Sequence, residues 1–280
     1  MQTHSNPESD VSSPSFSSGV VSGRGGDRAS QVVILRNPYH GYMKIATWNI
    51  RSLMKPETLE SLKREMTSYK VNIMELTEVR WHGTGDIWSD DCRIIYSGGQ
   101  ESQRGVAFMM DKESAKCVKR VECISDRLMM VQLSAEPVDM MILCVYMPTS
   151  AYNDEDVEVI YEQIEDLLTS GRGNEYLVIM GDWNAVVGEG KEENVVGGYG
   201  LGKRNNRGNM VVDFCKRNKL AVMNTWFKHP ERRRYTWKAP GDIRRFQLDY
   251  IMIRQRYRNS VKNAHTFPGA DVNSDHNLYV

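Results

Sequence analysis

"YLVIMGDWNAV" (176–186) begins as an unbroken apolar run and ends on a charge. Tyr176 to Met180 has the length and composition of a strand buried on both faces. Gly181 lets the backbone turn where that run stops. Asp182 is then carried out of the strand, and Asn184, two residues on, points to the same side. A lone Asp-x-Asn is most simply an Asx-turn closing a strand. With a phosphate and a cation nearby, the same carboxylate could orient an attacking water or accept its proton. The surrounding chain has to decide between the two.

Strand and helix alternate on both sides of this stretch. "MKIATWNI" (43–50) reads as a strand. A helix follows over about 56–69, where Pro56 suits a first turn and Leu59, Leu62, Met66 and Tyr69 share one face. "VNIMEL" (71–76) is the next strand. "CRIIYSG" (92–98) and "GVAFMM" (105–110) form one strand pair. "RLMMVQLSA" (127–135) and "DMMILCVYM" (139–147) form another, joined by a turn at Glu136-Pro137. "NDEDVEVIYEQIEDLLTSG" (153–171) is a helix capped by Asn153, striped by Val157, Ile160, Ile164 and Leu168, and stopped by Gly171. The glycine-rich 186–208 is loop, and "NMVVDFCKRNKL" (209–220) is helix. "YTWKAP" (235–240) and "QLDYIMI" (247–253) are short strands, and "NSDHNLYV" (273–280) opens the last. Paired strands separated by helices predict an α+β fold of two sheets with helices outside. Residues 1–30 hold nine serines and four glycines without periodicity, too little apolar surface to offset the entropy of ordering. We expect a disordered Ser/Gly-rich leader over 1–42 and one domain over 43–280.

The longest apolar stretch, "MMILCVYM" (140–147), has strand length, so no transmembrane helix is expected. No charged-then-apolar N-terminus suggests a signal peptide. Five scattered cysteines without a Cys-x-x-Cys read as reduced thiols of an intracellular protein. The net charge of zero hides a separation. Residues 1–200 carry 19 Lys+Arg against 30 Asp+Glu, a balance of −11, whereas residues 201–262 carry 17 against four, a balance of +13. Trp226, Phe227, Tyr235, Trp237, Phe246, Tyr250 and Tyr257 are interleaved with that basic block. A nucleic-acid face and a solvated face over core aromatics fit it equally.

Chemistry gathers where the expected strands end. Asn49 ends one, Glu78 follows another, and Tyr146, Asp182, Asn184, Asp249, Asp275 and His276 mark the rest. Strand ends are where a rigid sheet can converge polar side chains. Carboxylate and amide oxygens without a thiol are the hard ligands of Mg²⁺ or Mn²⁺. Such an ion beside a histidine suggests hydrolysis of a phosphate ester.

This ordered set resembles the endonuclease/exonuclease/phosphatase superfamily from about Met43 to Val280. "TEVRW" (77–81), "GYGLGKRNNRG" (198–208) and "DYIMIRQRYRNSVKNAHTFPGADVNSDHNL" (249–278) look most like RTE-type (BovB-like) endonuclease domains of non-LTR retrotransposons and the craniofacial development protein 2 group. The resemblance implies a four-layer αββα sandwich of two packed mixed sheets. It implies a Mg²⁺ (or Mn²⁺) ion on Glu78, with Asn49 and Asp275 close by. Asp182 would prepare the water and Asn184 would fix it. Tyr146 would contact the scissile phosphate, and His276, held by Asp249, would stabilise charge on its oxygens. Thr149, Trp237 and Arg80 are candidate substrate contacts, although Trp237 also fits a core aromatic and Arg80 a partner for an acid. Family members commonly place Gln where this chain has Thr77. They also continue the last strand past "NLYV" (277–280), so a truncated copy with a loosely held His276 is expected.

The function expected is a Mg-dependent endonuclease acting on DNA, by retrotransposon-type nicking or abasic-site cleavage, in a nuclear monomer. The alternatives are a catalytically impaired, retrotransposon-derived protein binding DNA or a protein partner, and a hydrolase of another phosphate ester. Salt dependence separates a long polyanion from one small ligand.

Overall fold

A computed structural model describes residues 42–280 apart from 172, together with the strand Ile34–Leu35. The rest of the leader expected over 1–42, Tyr42 excepted, lies outside the described residues. The strands of the first half are β1 (Ile34–Leu35), β2 (Ile45–Asn49), β3 (Ile73–Thr77), β4 (Thr84–Ser89), β5 (Cys92–Ser97), β6 (Val106–Asp111), β7 (Val118–Cys123) and β8 (Leu128–Leu133). Then come β9 (Ala135–Glu136), β10 (Met140–Tyr146), β11 (Tyr176–Asp182), β12 (Leu220–Val222), β13 (Trp237–Lys238), β14 (Arg245–Phe246), β15 (Asp249–Arg254), β16 (Thr266–Phe267) and β17 (Leu278–Tyr279). The α-helices are α1 (Pro56–Tyr69), α2 (Lys112–Lys116), α3 (Asp154–Ser170) and α4 (Asn206–Arg217).

Two mixed sheets carry the fold. One runs β12-β15-β11-β10-β8-β7 and the other β16-β17-β2-β3-β6-β5-β4. Only β10–β11 and β2–β3 pair in parallel within them; the rest of each sheet is antiparallel. The faces between the sheets share one apolar cluster that includes Ile73, Phe108, Val131, Ile142, Val178 and Ile251. Outside, Leu62 and Met66 of α1 pack on Trp48, Met74 and Leu76. On the other side α3 and α4 pack on Leu143, Ile179 and Met252 through Ile164, Val211 and Phe214. This is the α+β sandwich expected from the alternation of elements. Among the described residues no helix is long and apolar enough to cross a membrane.

The helix starts follow local chemistry. α1 keeps the expected bounds, with Pro56 at its first turn. Asn153 caps α3 by accepting from Asp156 N–H at 2.8 Å, while Leu167 is buried and Leu168 only partly so. α4 begins three residues earlier than the apolar pattern suggested. Asn205 Oδ1 accepts from Gly208 N–H at 2.7 Å and from Val186 N–H at 3.1 Å, so one side chain caps the helix and ties down the preceding loop. Asn205→Ala should therefore cost about 2 kcal/mol, at the upper end for a helix cap; a urea midpoint within error of the wild type would show that the cap contributes nothing.

Gly181 differs from its expected role. It lies inside β11, not in a turn, paired with Val145 on one side and Tyr250 on the other. Its φ is +147°, and a Cβ would sit 1.8 Å from Val145 O. Only glycine allows β11 to approach β10 so closely here. β17 is short, as expected, but it is not an edge. It pairs with both β16 and β2, and Leu278 and Tyr279 are buried.

Candidate active site

Strand register assembles the site. Tyr146 is the pairing partner of Asp182, and Asp182 that of Asp249, so β10, β11 and β15 present these three in one row. In the other sheet Asn49 pairs with Thr77 across β2 and β3. All five lie on the faces between the sheets, because side chains alternate and their neighbours Trp48, Leu76, Val145 and Tyr250 go to the outer clusters. Each inner row is apolar at one end of the sandwich (Ile45, Ile73, Met140, Tyr176, Ile253) and polar at this one.

The two sheets are joined here by a bond. Asn49 Nδ2 donates to Asp182 Oδ2 and to Glu78 Oε1, at 2.9 Å each. Glu78, just past β3 with φ of 56°, also accepts from Tyr146 Oη at 3.2 Å and from Arg80 at 2.8 Å. Asp182 Oδ1 accepts from Asn184 N–H at 3.1 Å, an Asx-turn with Asn184 at a φ of 45°. The Asx-turn weighed for this stretch is therefore present, directly beside the polar row. One amide N–H of Asn184 goes to Met147 O at 2.9 Å.

His276 reaches the row from β17's side. Its Nδ1 donates to Asp249 Oδ2 at 2.9 Å and its Nε2 lies 4.0 Å from Asp182 Oδ2. Backbone and side chains hold it: Trp48 Nε1 donates to His276 O, His276 N–H to Ser274 Oγ, and Ser274 Oγ to Asn49 O. His276 is 7% exposed, so it is packed in place instead of loosely held. Burial opposes charge on its imidazole, but Asp249 first, then Asp182 and Asp275, outweigh it and hold His276 up at about 9. Burial, reinforced by the Asp249 carboxylate, pushes Asp182 up to about 7. Burial and neighbouring Glu78 raise Tyr146, which stays a neutral phenol. Asp182, Asp249 and His276 offer ligand atoms within 4.8 Å of one another.

The remaining candidates are divided. Arg80 takes its acid-pairing alternative, on Glu78. Asp275 turns away: it accepts from Trp237 Nε1 at 3.0 Å and faces Arg51 at 3.7 Å. Trp237 is half-buried beside His276, 6.4 Å between ring centres, and its hairpin partner is Phe246. Thr149 lies on the loop after β10, where its carbonyl accepts from Tyr152 N–H. The basic block does not form one face. Lys238, Arg244 and Arg245 sit on the β13–β14 hairpin beside the site, but Arg254 ends the strand that Asp249 begins, about 17 Å away at some 3.3 Å per residue. Several of its aromatics, Tyr235, Tyr250 and Tyr257, are core residues. Beyond the residues marked by the sequence, the structure brings Arg51, Arg104 and Tyr152 to the rim, with Arg127 buried against Tyr152. It also places Glu75 beneath the site, where strand parity with Thr77 would have revealed it.

The sequence profile of the Endonuclease/Exonuclease/phosphatase family matches residues 46–276. Craniofacial development protein 2 of Bos taurus is 39% identical over 237 residues, 84% of this chain but 40% of that protein, so the chain spans well under half the length of this relative. An AP endonuclease of Leishmania major, LMAP, superposes with a TM-score of 0.65 at 14% identity, covering 85% of this chain and 86% of its own. The endonuclease domain of TRAS1, a telomere-specific non-LTR retrotransposon, gives 0.61 at 15% identity, covering 85% and 96%. At that identity these structures share the fold. Profile and fold agree with the converging strand ends, and the chain belongs to the endonuclease/exonuclease/phosphatase family.

Proposed function

We propose that the chain is a metal-dependent phosphodiesterase that nicks DNA. The observation that carries this reading is the pair of facing rows, Tyr146–Asp182–Asp249 and Asn49–Thr77, closed over by Glu78 and His276. The donors suit a divalent ion. They are carboxylate and amide oxygens, the ligands Mg²⁺ prefers. Asn49 Nδ2 lies between Glu78 and Asp182, where a cation would neutralise both. A rotated amide would turn its oxygen to the same place. Glu78 and Asn49 would hold the ion, while Asp275 is turned away toward Trp237 and Arg51. The Asp182–Asp249–His276 group is fully buried and His276 Nδ1 is committed to Asp249, so proton handling suits it better.

A divalent ion held there would supply polarisation of the phosphate oxygens. Asp182 orients a water and takes its proton, a role that suits a buried carboxylate aimed at the site by its bond to Asn49. Among the described residues the Asn184 side chain has a hydrogen bond only from one amide N–H, so its Oδ1 and second N–H can fix that water. His276 faces the phosphate through protonated Nε2, because Asp249 occupies Nδ1 and favours the imidazolium. Tyr146 lends a neutral O–H to a phosphate oxygen. The partly or fully exposed Arg51, Arg80, Arg104, Lys238, Arg244 and Arg245 near the site favour a polyanion over a small ester. Endonucleases of abasic sites and of a retrotransposon on the same fold support DNA.

Supercoiled plasmid is the direct assay. Nicking is expected in Mg²⁺, absent in EDTA, and about a hundredfold or more slower in His276→Ala. A folded chain that leaves the plasmid intact with Mg²⁺ and with Mn²⁺ would refute the reading.

A further inference from the structure

Arg127 is 7% exposed and lies just ahead of β8. Its guanidinium sits between two phenol rings, 5.0 Å from the centre of Tyr146 and 5.2 Å from that of Tyr152. One N–H goes to Tyr146 O at 3.1 Å. Asp126, the acid that acts on it, is bonded to Arg104 instead, at 3.3 Å. Arg104 meets the same Tyr152, donating to its Oη at 3.1 Å. Two guanidiniums therefore meet at one tyrosine, the nearby carboxylate bonds Arg104, and Arg104 disfavours charge on Arg127. Ring stacking offsets part of the cost of burying a cation beside another. An anion would complete the arrangement, because a buried charge without an equal partner is costly.

The cluster opens to solvent next to the reacting groups. Tyr152 is 38% exposed and the Arg104 side chain 35%. Tyr146, gripped by Arg127, is bonded to Glu78. Arg104 O accepts from the N–H of Arg80, whose side chain also holds Glu78. We infer that Arg104 and Arg127, held around Tyr152, form a second phosphate subsite that takes a backbone phosphate next to the scissile one. Planar guanidiniums suit the paired oxygens of a phosphodiester. This inference rests on DNA as the substrate.

The test uses duplex oligonucleotides in which a single methylphosphonate removes one backbone charge at successive positions around the mapped nick. Binding is read by fluorescence anisotropy, with Ca²⁺ in place of Mg²⁺. Wild-type affinity is expected to fall about tenfold at one flanking position, as for loss of one charge-assisted contact. In Arg104→Gln, which alters a partly exposed side chain, that position should become silent while the others keep their penalties. Arg127→Lys keeps the charge but loses the planar fork, and should lower the same penalty without touching the rest. An unchanged profile in Arg104→Gln overturns the subsite while leaving the DNA reading in place. A wild-type chain that binds no duplex overturns the DNA reading, and the subsite with it.

Discussion

Asp182→Asn is expected to slow Mg²⁺-dependent nicking by roughly a thousandfold or more, the range for loss of a positioned acid or base, while the urea midpoint holds or rises. The two readouts part because of where the carboxyl sits. It is 2% exposed, and burial together with Asp249 pushes it up to about 7. Burial disfavours the charged form of this group, and an amide of the same shape carries no charge to bury. The cross-sheet bond survives the change, because the new amide oxygen can accept from Asn49 Nδ2, at the cost of the bond from Asn184 N–H. What does not survive is an acceptor for the proton of the attacking water. His276 cannot replace it, since Asp249 holds the imidazole protonated. Single-turnover nicking and urea melts on the same preparation decide the matter. A variant within tenfold of the wild type would show that Asp182 neither activates nor positions the water.

Much of this site was legible because two local rules coincide in it. An apolar run that ends on a polar residue marks a strand reaching the sheet's rim, and β2, β10 and β11 all end that way, at Asn49, Tyr146 and Asp182. α1 and α3 were equally plain, since a stripe at helical spacing with Pro56 or Asn153 ahead of it leaves little choice. Features set by tertiary neighbours were hidden. Gly181 read as a turn because a close strand approach leaves no mark in the sequence. α4 starts early because Asn205 serves a loop and a helix at once. β4, mostly exposed at the sheet's edge, carries no alternation to detect. Asp275 stands next to His276 in sequence, yet it lies in the bend before β17 and is held away from the site row by Trp237. The basic block failed as one face because β15 carries Asp249 and Arg254 to opposite ends of the sandwich.

Glu75 bears the second large prediction. One step below the site row, its carboxyl is fully buried between the sheets. Thr47 Oγ1 donates to one oxygen and Cys144 Sγ to the other. These are neutral partners, and the charged groups that act on it, Asp249 and Asp182, carry its own sign. Burial therefore pushes Glu75 well above the usual carboxylate range, and the two aspartates add to this against the weaker help of Cys144 and Thr47. A native state that keeps a proton the unfolded chain has released loses stability as pH rises. The contribution is complete below the unfolded value, near 4.5, and declines until the folded value is passed. The slope is about 1.4 kcal/mol per pH unit for one proton. Glu75→Gln keeps the shape and cannot ionise, so its urea stability should lack that slope, and the gap between variant and wild type should move in the variant's favour from pH 5 to pH 8. Curves that run parallel across this range would mean that Glu75 is ionised in the folded chain. The layer beneath the site would then hold a charge that neither Thr47 nor Cys144 can balance.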